Sequence, residues 1–197
     1  MVFDDTIPSI DESIFQQTAD WSDFYADAFE KIPPNAPEPR GKPVNMYFFC
    51  DSDHAGDQIT RRSQTSIILF LNRAPIQCYS KKQNTVKRST FGAEFVALCI
   101  AIELIESLRY KLRMMGIAIE GPCSVFCDNE SVVKNSSIPE SILKKKHNAI
   151  AYHHVRESAV AGIVRIGYIH RSTNLADMFT KPLPQLKIHG FCEQILY

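Results

Sequence analysis

The sequence predicts an α/β domain: a mixed five-stranded sheet, three antiparallel strands followed by two parallel ones, flanked by helices. Three observations carry this. Short apolar runs at 46–50, 65–71 and 76–80 are joined by brief polar turns, which is hairpin spacing. A helical stripe then runs through Phe91, Phe95, Leu98, Ile102, Ile105, Leu108, Leu112 and Met115 at steps of three and four. Two later apolar runs, at 124–127 and 163–169, are reached across helical sequence, as parallel crossovers require.

The first strand, 46–50, is continuously apolar and suits burial on both faces. It stops at the polar turn Asp51-Ser52-Asp53-His54-Ala55-Gly56-Asp57. Ala74-Pro75 turns the second strand into the third. Ser89 or Thr90 can cap the long helix, and Gly116 closes it. A short helix follows at 130–135 and a longer one at about 139–161, ended by Gly162. Leu175 opens a last short helix.

At 45% hydrophobic and 22% charged, the 197 residues make one globular domain with an appendage. The zero net charge conceals a split: 1–40 hold nine acids against two bases, a net of −7, and the remainder carries +7. Residues 1–43 read as an acidic connector ending in Pro33-Pro34-Asn35-Ala36-Pro37-Glu38-Pro39, a run that resists helix and strand. Its aromatics, Phe15, Trp21, Phe24, Tyr25 and Phe29, suit a short helix docked on a neighbour. Residues 44–183 form the domain and 184–197 a tail. The longest apolar stretch, 95–105, is too short to span a bilayer, and the acidic start lacks the basic region of a signal peptide. An intracellular, unsecreted protein is expected, with no membrane partner. The six cysteines form no CxxC pair, and Cys123 and Cys127 fall roughly 13 Å apart on one predicted strand, too far for one ion. His147, His153 and His154 share a predicted helix without the i, i+4 spacing of a helical zinc pair, so packing or surface roles are favoured.

Four separated carboxylates carry the chemistry: Asp51, Glu94, Asp128 and Asp177. Asp51 and Asp128 each follow an apolar strand, and parallel pairing of those strands brings both to one sheet edge. Glu94 flanks the buried helical stripe; a capping box would need Ser or Thr where Phe91 stands. Asp177 alone reads as an acid at a helix start. Clustered carboxylates repel unless cations neutralise them, and hard ions such as Mg²⁺ or Mn²⁺ prefer carboxylate oxygen. Two such ions about 4 Å apart suit phosphodiester cleavage.

These residues fall in motifs that resemble the ribonuclease H domain of copia-type retrotransposon polyproteins. Besides the first turn, the matches are Arg61-Arg62-Ser63, Ser80-Lys81-Lys82-Gln83, Ala93-Glu94-Phe95 and Cys127-Asp128-Asn129-Glu130-Ser131. Lys146-His147, Tyr152-His153, Arg156-Glu157 and Asn174-Leu175-Ala176-Asp177-Met178-Phe179-Thr180-Lys181-Pro182-Leu183 complete the ordered set, across 44–183. The resemblance implies a ribonuclease H-like fold and endonucleolytic hydrolysis of the RNA strand of an RNA–DNA hybrid, with two Mg²⁺ or Mn²⁺ ions and no small-molecule cofactor. It maps the metal-binding acids onto Asp51, Glu94, Asp128 and Asp177, with Asp53 competing for the first place. It also implies a polymerase partner upstream, since no polymerase motif is present here. His54 departs from the aromatic usual in these elements. Cellular relatives carry a glycine-rich loop with a mobile histidine before the last acid, where this chain has only Arg171-Ser172-Thr173. His170 is near, with a packing or surface role favoured over a catalytic one. Arg61, Arg62, Lys81 and Lys82 are candidate phosphate contacts, with Lys87, Arg88 and Lys144-Lys145-Lys146 behind them. Asn129 could donate to the RNA strand or cap a helix. Two rival readings stand beside this one: a catalytically silent scaffold on the same fold, and another nuclease such as an integrase or resolvase.

Overall fold

A computed structural model describes residues 11–15, 21–139 and 149–196. The Lys144-Lys145-Lys146 run and His147 lie outside them. A five-stranded sheet has the order β4-β3-β2-β6-β7, from β2 (Met46–Ser52), β3 (Gln64–Leu71), β4 (Ala74–Lys82), β6 (Cys123–Cys127) and β7 (Val164–Tyr168). The first three are antiparallel, and β2, β6 and β7 run parallel. Helices α2 (Thr90–Met114), α3 (Glu130–Ser137), α4 (Ala149–Val160) and α5 (Gln185–Leu196) flank the sheet. The expected architecture is therefore the observed one.

Alternation along β2 divides the interior. Met46, Phe48 and Cys50 face a core built on α2 with Phe95, Leu98, Ile102 and Ile105. Tyr47 and Phe49 face the opposite side, among Ile68, Phe70, Phe126, Leu175 and Phe191. This explains the unbroken apolar run at 46–50: both faces are covered. Ser89 caps α2 by accepting from Gly92 N, and Gly116 closes the helix at φ +70°. Met115 ends the predicted stripe but is 64% exposed, because it lies past the last helical turn.

Other elements depart from expectation. Arg40–Val44 (β1) pairs in parallel with Ile117–Ile119 (β5), a second, two-stranded sheet. Pro43 is tolerated there because a two-stranded ribbon is all edge. Strand β4 extends to Lys82, so Lys81 and Lys82 stand on the strand and not beyond it. The helix predicted from about 139 is described only from Ala149. Leu175–Phe179 is a 3-10 helix, and the tail forms α5, with Phe191 buried in the second core.

The described residues before β1 pack on α2 and on β7. Among them, the short helix α1 (Ser22–Tyr25) precedes Glu30, whose carboxylate takes hydrogen bonds from Arg109 and Arg113 on α2 at 2.5–3.1 Å. Phe15 lies against Gly167, where an added Cβ would come within 2.9 Å of its ring. Burial alone pushes the Glu30 carboxyl up, but the two guanidiniums overcome this and hold it at about 2. Glu30→Ala leaves Arg109, only 4% exposed, without its counterion. Breaking a buried pair costs about 3–5 kcal/mol, and the 20% exposure of Glu30 reduces this to about 2–3 kcal/mol. The urea midpoint of the variant should fall accordingly. The Glu30 contribution is present above its unfolded value near 4.5 and is lost as pH falls toward 2, so the deficit should vanish in acid.

Candidate metal centre

Strand register builds the centre. Phe49 pairs with Phe126, and one step on the thiols of Cys50 and Cys127 lie 3.0 Å apart. The next residues are Asp51 and Asp128. Both share the parity of Tyr47, Phe49 and Phe126, so they project to the face that carries the 175–179 helix. Asp51 is not beyond the strand, as its motif suggested, but inside β2, paired with Ser66 of β3. Asp128 leaves β6 directly after Cys127.

Asn174 brings the third acid. Its side-chain amide donates to Cys50 O (3.0 Å), and its oxygen accepts from Ala176 N (3.1 Å). This staples the 3-10 helix to β2 beside Asp51 and buries Asp177 completely. Asp51, Asp128 and Asp177 each offer a carboxylate oxygen within 4.8 Å of the other two. Glu94 stands outside that group but close enough for the charges of Asp128 and Asp51 and the side chain of Asn129 to act on it. Because Ser89 is the cap, Glu94 lies past the first turn of α2, beyond the reach of the helix dipole.

Cations compensate the cluster. Lys181 Nζ lies 2.5 Å from Asp177 Oδ1 and 3.6 Å from Asp51 Oδ2, and Lys187 Nζ lies 2.9 Å from Asp177 Oδ2. Thr180 Oγ1 donates to Asp51 Oδ2 at 2.5 Å. Sequence reasoning assigned these three no role. Lys181 stands i+4 from Asp177, a legible pairing. Lys187 had no such signal, since it depends on how α5 folds back. Asp177 Oδ1 is fully buried, with the Lys181 ammonium against it as an ion pair. Three converging carboxylates outnumber the two ammoniums beside them, a donor set that fits a hard divalent cation.

The acids are electrostatically frustrated. Burial pushes the Glu94 carboxyl up to about 8, helped by Asp128 and Asp51 and opposed by Asn129 and Arg171. Burial, offset by Thr180 and reinforced by Asp128, holds Asp51 at about 6. Asp128 is raised by burial and by Asp177. Burial also acts upward on Asp177, but Lys181 and Lys187 outweigh it and leave that carboxyl below its usual range.

The remaining candidates are dispersed. Asp53 accepts from Gln64 N and packs against Gly56, where a Cβ would sit 1.8 Å from its carboxylate oxygen. It holds the turn and is absent from the acid group. Asn129 caps α3, accepting from Ser131 N (3.0 Å) and Val132 N (3.2 Å). Lys82 is ion-paired with Asp57, whereas Lys81 is exposed on β4. Arg61 and Arg62 are exposed on the turn between β2 and β3. His170 is exposed, with Nδ1 engaged by Ser172 Oγ (2.7 Å) and Ser172 N (3.2 Å) as the cap of the Arg171–Thr173 turn. Gln83, inside one matching motif, ties β4 to Thr65 of β3 (2.9 Å) and to Ala93 O (2.8 Å), next to Glu94.

No protein-family model matches the chain. The Retrovirus-related Pol polyprotein from transposon RE1 of Arabidopsis thaliana is 30% identical over 156 residues, 79% of this chain; the chain spans 11% of that relative's length. The N-terminal RNase H domain of rv2228c from Mycobacterium tuberculosis shares 13% identity at a TM-score of 0.52, over 76% of this chain and 97% of that one. LC11-RNase H1, solved in complex with RNA/DNA hybrid, shares 13% identity at a TM-score of 0.53, over 68% of this chain and 93% of that one. These likenesses show the ribonuclease H fold. Among the described residues no helix is long and apolar enough to cross a membrane.

The raised acids make metal-free stability pH-dependent. Glu94 and Asp51 bind protons more tightly folded than unfolded, so their contribution is complete below about pH 4 and is lost as pH rises through about 6 and then 8. The melting temperature of the metal-free chain should fall across that window, and saturating Mg²⁺ should flatten the fall. Calorimetry at matched ionic strength checks both.

Proposed function

We propose that this chain, a ribonuclease H-fold segment homologous to copia-type retrotransposon Pol polyproteins, hydrolyses the RNA strand of RNA–DNA hybrids. One observation carries the reading: Asp51, Asp128 and Asp177 converge within 4.8 Å at the carboxyl edge of the parallel strands. With Glu94 beside them, they form a donor set of carboxylate oxygens that would hold Mg²⁺ or Mn²⁺, two ions in this reading. Such ions supply Lewis acidity and a water nucleophile activated at neutral pH.

The chain's own residues then divide the work. The four acids would hold those ions at the sheet edge where the reacting phosphate would lie. Asn174 and Thr180 orient Asp177 and Asp51. The Asn129 side-chain oxygen is committed to its helix cap, which leaves the amide N–H groups for Glu94 or a ribose 2′-hydroxyl. Arg61, Arg62 and Lys81 are exposed for backbone phosphates, and Lys82 must leave Asp57 to join them. A polymerase encoded upstream in the same polyprotein is the proposed partner that presents the hybrid.

The silent-scaffold reading has one observation in its favour: Lys181 and Lys187 already neutralise Asp177. Cleavage of a hybrid labelled on each strand separates the two. RNA should be cut only with Mg²⁺ or Mn²⁺, with the DNA strand and free RNA spared. Asp128→Asn should lower turnover by at least about 100-fold with the fold intact, since even outer-shell changes at metal sites cost 10–100-fold. No metal-dependent cutting by wild-type protein, even with the upstream polymerase added, would establish the scaffold.

A further inference from the structure

Helices α2 and α4 bring three donors of different chemistry together on the far side of α2. Cys99 and Glu103 are one turn apart on α2, and His154 comes from α4. Their ligand atoms all lie within 4.8 Å of one another. We propose that Cys99, Glu103 and His154 form a second metal site, for a borderline ion such as Zn²⁺, which pins α4 to α2.

The distances fit that ion. Cys99 Sγ lies 3.7 Å from His154 Nδ1 and 4.0 Å from Glu103 Oε1. Tetrahedral zinc with its usual bond lengths sets sulfur and nitrogen or oxygen donors about 3.5 Å apart. Closure onto the sulfur therefore needs movements of about half an ångström in half-buried or exposed side chains, and Glu103 and His154 start within 4.8 Å of each other. Sulfur and imidazole select zinc-like ions over Mg²⁺, which separates this site from the all-carboxylate centre.

The surroundings already orient the histidine. His154 Nε2 lies 3.2 Å from both oxygens of Glu106, and Ser158 Oγ donates to Glu106 Oε1 at 2.7 Å. A proton held on Nε2 by Glu106 leaves the Nδ1 lone pair aimed at Cys99. This is the carboxylate–histidine arrangement that fixes a metal-binding tautomer. Without metal, the Cys99 S–H donates to Nδ1; an entering M²⁺ forms the M–S and M–N bonds and releases that single proton to solvent. Burial and the charges of Glu103 and Glu106 resist a bare thiolate, and those negative charges favour a cation. A surface cavity of about 540 Å³ adjoins Cys99, Glu103 and His154 and leaves a fourth position to water. Sequence spacing did not reveal the group, because His154 lies 55 residues from Cys99.

Co²⁺ titration of the full chain tests this, since cobalt bound to thiolate absorbs in the near ultraviolet. One equivalent should produce that band, Zn²⁺ should abolish it, and excess Mg²⁺ should leave it. Cys99→Ser should remove the band, and His154→Gln and Glu103→Gln should each weaken Co²⁺ binding at least tenfold, while Asp128→Asn keeps it. Metal-dependent hybrid cleavage by Cys99→Ser should match wild type. Absence of the band at one equivalent, its survival in Cys99→Ser, or wild-type affinity in His154→Gln would overturn the proposal.

Discussion

Three carboxylates held within 4.8 Å of one another, two of them buried, are the constraint on which this structure turns. Like charges so placed must protonate or be met by cations. The chain does both. Asp51, Asp128 and Glu94 have raised affinities for protons, while Asp177 stays ionised against Lys181 and Lys187. The Lys181 ammonium lies between Asp177 and Asp51, so a divalent ion proposed for the cluster would have to displace it.

The architecture concentrates this strain at one spot. Parallel register sets Asp51 beside Asp128, Asn174 locks the 3-10 helix against β2, and α5 swings Lys187 back over Asp177. Gln83 braces the start of α2 where Glu94 projects. Each brace is a buried or half-buried side chain whose donor nitrogen is paired. Glu30, ahead of β1, adds a second charged lock onto α2.

Much of this was legible in the sequence, for physical reasons. A doubly buried strand announces itself by an unbroken apolar run, and a long core helix by its stripe, so Asp51 and Asp128 could be set side by side from strand order alone. Glu94 was legible as an acid beside a buried face. Asp177 was not legible from pattern, since an acid at a short helix start is commonplace; its motif carried it. Local pattern was silent on Lys187 and on the Cys99–His154 contact, because both depend on where α5 and α4 return. The β1–β5 pairing was hidden by Pro43, which discourages a strand everywhere except at an edge. The cap of α2 at Ser89 was one of two options, and choosing it moves Glu94 out of the first turn.

The central claim is that the Asp51–Asp128–Asp177 cluster holds a divalent cation in exchange for a lysine. A crystal of the chain soaked in Mn²⁺ and measured at the manganese absorption edge tests it most directly. The account predicts an anomalous peak bounded by the three carboxylates, with the Lys181 ammonium withdrawn from Asp51 and Asp177. Saturating Mn²⁺ that leaves no peak there, with both lysine contacts to Asp177 unchanged, would contradict it.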